Sequence, residues 1–196
     1  MGGEKVMTVG ICRPDGDTSV AWDASDSPHA DGIDDPIEQP AGDPGSDDFI
    51  SAGDGKENVI DQFTMDNSIQ GIDSTTTIKI WCYGKCGLNG NERPSIDIYL
   101  GTWKEYKILP FTTTKGWHSL IWSVVGGTQA QLDALQVRIK AYHDYAIYDS
   151  TAIYCMYAEV TYTELGYAHD FIGIPSRNID SIMGIPSANI DNIMGL

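Results

Sequence analysis

Between Leu135 and Ala141 the chain alternates without a break. Leu135, Val137, Ile139 and Ala141 are apolar, and Gln136, Arg138 and Lys140 between them are polar or charged. A side-chain period of two belongs to a strand that buries one face and wets the other. The same period runs through residues 75–83, where Ile78, Ile80 and Cys82 share one side and Lys79 and Trp81 the other. It recurs in residues 95–100, with Ile96, Ile98 and Leu100 inward and Asp97 outward. Residues 106–109 and 119–124 are shorter candidates, and 152–163 reads as a long aromatic strand. Residues 87–94 form a connecting loop, and 128–134 read as one or two helical turns capped by Thr128. Half-buried strands at regular spacing with turn signals between them predict an all-β fold, an antiparallel β-sandwich of jelly-roll-like type.

The N-terminal third has a different character. Residues 1–5 read as a disordered start, and 6–12 as a first strand stopped by a turn at Arg13-Pro14-Asp15-Gly16. Residues 17–58 are rich in Asp, Gly, Pro and Ser, a vocabulary that breaks long regular elements. A structureless loop of that length would be unusual inside a compact domain. The expectation is therefore acidic loops that wrap the sandwich, with short strands near residues 20–22, 48–51 and 59–65. The sandwich domain is placed at 6–165 and a C-terminal repeat tail at 166–196.

Charge narrows the function classes. The net charge is −16, and residues 1–66 hold 16 acids against 3 bases. A surface this acidic repels phosphate, so no nucleic-acid partner is expected. No stretch approaches the roughly 18–20 apolar residues of a membrane span, and no basic flank with an apolar run opens the chain, so neither a membrane partner nor a secretory signal is expected. Cys12, Cys82, Cys86 and Cys155 could pair in three ways, and they are read as reduced. The four histidines, His29, His118, His143 and His169, form no zinc pattern with them, and His118 is placed at a surface or turn position.

The tail carries a near-exact repeat with a period of 11 residues. Gly173-Ile174-Pro175-Ser176-Arg177-Asn178-Ile179-Asp180-Ser181-Ile182-Met183 is followed by Gly184-Ile185-Pro186-Ser187-Ala188-Asn189-Ile190-Asp191-Asn192-Ile193-Met194. Pro175 and Pro186 hold the preceding Ile174 and Ile185 extended. Ser176 and Ser187 then suit N-caps, and Ile179, Ile182, Met183 and Ile190, Ile193, Met194 fall at helical i, i+3, i+4 spacing. Each unit is read as an extended link followed by a short amphipathic helix. Such a helix is too short to stand alone, so its apolar stripe must dock, on the chain's own sandwich or on another subunit. These eight residues are the predicted assembly interface.

Catalytic signatures are absent from the sequence: no G-x-S-x-G, P-loop, H-E-x-x-H or dinucleotide fingerprint occurs. No enzyme activity and no cofactor are expected. Asp31, Asp34 and Asp35 could offer oxygens to Ca²⁺, although their spacing is not that of an EF-hand and acidic surface loops are common. Trp81, Trp103, Trp117 and Trp122 raise a carbohydrate-binding reading, against the plainer one in which tryptophans fill a sandwich's core and rims. Trp122 alternates with Leu120 and is assigned to the core. Trp81 and Trp103 are the candidate glycan contacts.

Several segments together resemble a family of small jelly-roll-like virion proteins encoded in tailed-phage and prophage structural gene clusters. They are Arg13-Pro14-Asp15-Gly16-Asp17 with Trp22, Asp31 to Pro36, Ile78-Lys79-Ile80-Trp81, Arg93-Pro94-Ser95, Gly116-Trp117, Ala130 to Arg138, and Ala158-Glu159-Val160-Thr161-Tyr162. The G-I-P-x-x-N-I tail is similar to short repeats at the ends of phage structural proteins. The resemblance implies a virion component of decoration, head-fibre or tail-associated type. With the repeat stripes buried between copies, the expectation is a homo-oligomer, with a trimer expected, bound to a major capsid or tail protein. The alternative is a carbohydrate-binding or adhesion module on a phage tail or cell surface. A sandwich-fold hydrolase is a third reading, without an acid–base pair to support it.

Overall fold

The computed structural model describes residues 7–25, 27–34, 43, 48–53, 58–87, 93–141 and 151–164, and the backbone of 181–182 and 185–186. Two antiparallel six-stranded sheets pack face to face as a sandwich. Sheet A is built on two 14-residue strands, β6 (Ile72–Lys85) and β12 (Thr151–Glu164), which pair along their length. Strand β10 (Gly116–Gly127) flanks β6. On the far side of β12 lie β1 (Met7–Cys12) at one end and β4 (Ile50–Ala52) with β3 (Asp23–Ala24) at the other. Sheet B has the order β2 (Pro14–Ser19), β5 (Ile60–Met65), β11 (Gln136–Lys140), β7 (Ser95–Leu100). The short strands β8 (Thr102–Trp103) and β9 (Lys107–Ile108) close its edge against β7.

Most successive strands change sheet; the exceptions are β3–β4 and β7–β8, which pair, and β8–β9, which both lie against β7. The core lies between the two inner faces. Register places Trp122, Ile78 and Val160 in one row of sheet A, and Phe63, Val137 and Ile98 in one row of sheet B, all buried. Each fully buried isoleucine among Ile78, Ile80, Ile96 and Ile98 contributes about 2 kcal/mol of burial. Trp122 is core, as its alternation predicts, and its Nε1 donates to the Glu105 carbonyl at 3.2 Å. The helical turn is also as read: α1 (Gln129–Asp133) begins in a capping box between Thr128 and Gln131.

Four local readings are corrected. Arg13-Pro14-Asp15-Gly16 is no turn, because Pro14 opens β2. A proline lacks a donor and is admitted at the first position of an edge strand, and bulges between Pro14 and Gly16 absorb the irregularity. Residues 20–22 form no strand, since the Ala21 and Trp22 amides donate to Asp61 Oδ1. His118 lies within β10, opposite the inward Cys82, with its ring 5.4 Å from Phe111. In the tail, Ser181–Ile182 and Ile185–Pro186 form two short antiparallel strands, β13 and β14, where a helix was expected over the first of them. Pro186 holds Ile185 extended, and pairing Ile185 with Ile182 requires Ile182 to be extended too. Ile174, Ile179, Met183, Ile190, Ile193 and Met194 lie outside the described residues, as does the disordered start assigned to residues 1–5.

The acidic segment is anchored by a carboxylate that the sequence does not mark out. Asp61 is fully buried, and besides Ala21 and Trp22 it meets His29 Nδ1 at 2.7 Å. Asp17 accepts from the His29 and Ala30 amides at 2.7 and 2.8 Å. Ile33 is buried, and its carbonyl accepts from the Met156 amide at 2.8 Å, so this loop is stitched to the centre of sheet A.

Candidate functional site

Trp81 and Trp103 lie on opposite outer faces of the sandwich. Trp81 sits between the inward Ile80 and Cys82 and so points away from the core on sheet A. Its Nε1 donates to Glu159 Oε2 at 3.2 Å, and Lys79 Nζ lies 4.9 Å from its ring centroid and 3.0 Å from Glu159 Oε1. Tyr157 stacks on it with centroids 6.4 Å apart. Trp117 joins the same face, 5.3 Å from Tyr83 and 5.8 Å from Tyr157. Tyr83 and Tyr157 are buried although they point outward, and Tyr83 also meets the Tyr154 ring and hydrogen-bonds Asp43 of the acidic segment. The indole of Trp81 therefore has its hydrogen bond made and its neighbours in place.

Trp103 reaches sheet B through a sharp reversal. Strand β7 ends at Leu100, and Gly101 adopts φ 72°, a left-handed conformation that costs any residue with a Cβ. The chain then folds back as β8, which sets Trp103 opposite Tyr99. Tyr99 alternates with the buried Ile98 and Leu100, so both rings lie on the outer face, 5.4 Å apart and edge to face. Arg138, outward between Val137 and Ile139, lays its guanidinium 3.8 Å from the Trp103 centroid and 5.0 Å from that of Tyr106.

Beneath that guanidinium lies Asp97. It points outward, as its alternation predicts, yet it is fully buried. Arg138 Nε and Nη2 each donate to it at 2.7 Å, a bidentate pair. The hydrogen bonds to Asp97 raise the Arg138 pKa above its ordinary value. Burial, reinforced by the Asp97 charge, pushes the Tyr106 phenol up, so it remains a neutral donor and acceptor. Next to Arg138, Gln62 Nε2 donates to Gln136 Oε1 at 2.7 Å. The outer face of sheet B thus combines three aromatic rings, one fixed guanidinium and a pair of amides.

Of the two predicted glycan contacts, only Trp103 enters such an arrangement. The sequence reading missed Arg138, Asp97, Tyr99, Tyr106, Gln62 and Gln136. The outward register of Tyr99, Gln136 and Arg138 was visible in their alternation, but which strands neighbour one another was not. In the acidic loop Asp31 is exposed and Asp34 half-buried, while Asp35 lies outside the described residues. No group of three or more potential metal ligands occurs among the described residues. No described helix is long and apolar enough to cross a membrane.

Fold and face together define a β-sandwich with a polar–aromatic sheet surface. No protein-family model and no curated protein matches the chain. Among solved structures it is similar to a truncated AlyQ with CBM32 and alginate lyase domains, at 16% identity and a TM-score of 0.35, over 82% of this chain and 34% of that one. The chain thus spans about a third of that protein's length.

Proposed function

We propose that this chain is a non-enzymatic saccharide-binding module that takes its ligand on the outer face of sheet B. The carrying observation is the grouping of Trp103, Tyr99 and Tyr106 around Arg138, with the Gln62 and Gln136 amides alongside. A sugar offers an apolar C–H face and a rim of hydroxyls. A surface that binds it pairs flat aromatic rings with a few polar groups fixed in direction. Here Asp97 fixes the guanidinium, so little side-chain freedom is lost on binding. An open sheet face suits affinities in the millimolar to micromolar range, about −4 to −8 kcal/mol.

The test compares two indoles. Trp103→Ala is expected to abolish binding on a glycan array and in calorimetry, whereas Trp81→Ala keeps it. Equal loss in both variants, or wild-type protein with no glycan hit, would sink the proposal.

The segments that resemble phage virion proteins, together with the 11-residue repeats, support a second reading compatible with the first. In it the module is a virion component of decoration, head-fibre or tail-associated type, attached to a major capsid or tail protein and self-associating as a trimer. One structural observation favours it. Strand β1 pairs with β12 and carries Met7 and Val9, each 59% exposed, whereas monomeric proteins usually blunt a sheet edge with charge or proline. Deleting residues 172–196 is expected to prevent incorporation into particles while the sandwich stays folded. Normal incorporation of the truncated chain counts against this reading.

A further inference from the structure

On the saccharide reading, the polar groups of sheet B's outer face also carry information about the ligand's charge. Arg138 has five N–H groups, and Nε and Nη2 spend two of them on Asp97. The other three find no acceptor among the described residues, and Nη1, which carries two of them, is not buried. Gln62 and Gln136 use one N–H and one oxygen on each other, which leaves Gln136 Nε2 as a donor and Gln62 Oε1 as an acceptor, neither of them buried. Gln62 lies opposite Arg138 in register, and Gln136 lies two residues along β11, about 7 Å away. The face therefore presents donors and an acceptor side by side.

The Arg138 guanidinium is neutralised by the buried Asp97 directly beneath it. Lys140 lies four residues along β11 from Gln136, about 13 Å away, whereas Asp15, which Thr64 holds at 2.7 Å, lies close to Gln136 on the neighbouring strands. The chain as a whole stands at −16. A carboxylated sugar would meet a guanidinium already neutralised by Asp97, the nearby Asp15 carboxylate and a repulsive overall field. A neutral sugar, whose every hydroxyl can both give and accept, matches the alternating groups.

The row from Trp103 through Tyr99 and Gln136 to Thr64 crosses β8, β7, β11 and β5, with the Gln62 amide beside it, opposite Arg138. Three inter-strand spacings make about 14 Å, more than one sugar ring. We infer that the ligand is a neutral oligosaccharide laid across the strands of sheet B, with Arg138 and Gln136 reading its hydroxyls and uronic-acid chains discriminated against.

The experiment titrates the full chain with cellotetraose, maltotetraose, mannotetraose and xylotetraose, and separately with tetragalacturonate and tetramannuronate. At least one neutral tetrasaccharide is expected to bind, with both acidic ones weaker by about tenfold or more, equivalent to about 1.4 kcal/mol. Gln136→Ala is expected to weaken the neutral ligand by about fivefold, the worth of one hydrogen bond, with an unchanged denaturation midpoint. An acidic tetrasaccharide that binds as tightly as the neutral ones overturns the inference while leaving the saccharide reading intact. So does a Gln136→Ala variant that binds the neutral ligand normally. Wild-type protein that binds none of the six removes the saccharide reading itself.

Discussion

Arg138 and Asp97, 41 residues apart in sequence, form a two-point ion pair on the outside of a sheet, and the carboxylate has no solvent exposure at all. Such a pair matters most when half of it is removed, because the remaining charge stays buried without its partner. Arg138→Met is expected to destabilise the sandwich by about 3 kcal/mol. The double variant Arg138→Met/Asp97→Leu should recover most of that loss, since well-packed apolar residues replace a buried pair at little cost. Urea denaturation of the two variants gives both numbers, and a double variant as unstable as the single one would refute the account.

Asp61 supports a different region. Its side chain accepts from the Ala21 and Trp22 amides and faces His29. Asp61→Ala orphans two backbone donors in the interior, at about 1–3 kcal/mol each. Amide hydrogen exchange should show Ala21 and Trp22 losing protection while amides of the β6–β12 pair keep theirs. Uniform loss across the molecule would mean that the anchor is global and not local.

His118 makes stability depend on pH. Burial, helped by the Arg93 charge, lowers its pKa below the ordinary 6.5. The unfolded chain then takes up a proton more readily than the folded one as pH falls through 6.5 and below. Stability associated with the neutral ring is full above that range and declines beneath it. His118→Phe should flatten the decline between pH 7.5 and 5, a range bracketing the ordinary histidine pKa of about 6.5. Denaturation midpoints across that range measure it, and identical profiles would exclude His118 as the source.

None of the four cysteines is in a disulfide, and all are buried. Burial and the nearby Asp66 push the Cys12 thiol up to about 12, and burial raises that of Cys82 well above its ordinary value. Thiolate, the reactive form, is therefore scarce as well as inaccessible. Ellman's reagent at pH 8, where a free thiol of pKa about 8.5 reacts readily, should modify none of the four in native protein and all of them in denaturant. Rapid reaction of any native thiol would contradict the packing.

What the sequence made legible followed local period. The alternations at 78–82, 96–100 and 135–141 fix both strand and inward face, and the Thr128 capping box fixes a helix start. What it concealed depends on which strands become neighbours. Asp97 and Arg138 each read as a solvated charge, because nothing local says that β7 and β11 will lie side by side. Trp81 and Trp103 read alike as glycan contacts, because alternation gives each residue a face without saying to which sheet its strand will go. Pro14 read as a turn because its tolerance in a strand requires an edge position. In the tail, helical spacing of isoleucines was outweighed by the extended backbone imposed ahead of Pro186.

Strand β12 is made last among the sandwich strands, yet it sits in the interior of sheet A, flanked by β6 on one side and by β1 and β4 on the other. During synthesis, the earlier strands of sheet A lack the ribbon that joins them until Glu164 has emerged. Most pairings of the long strands span a long stretch of chain, a wiring that makes folding slow. The nascent polypeptide therefore waits, with its apolar strand faces open to water and to chaperones, until its closing strand arrives.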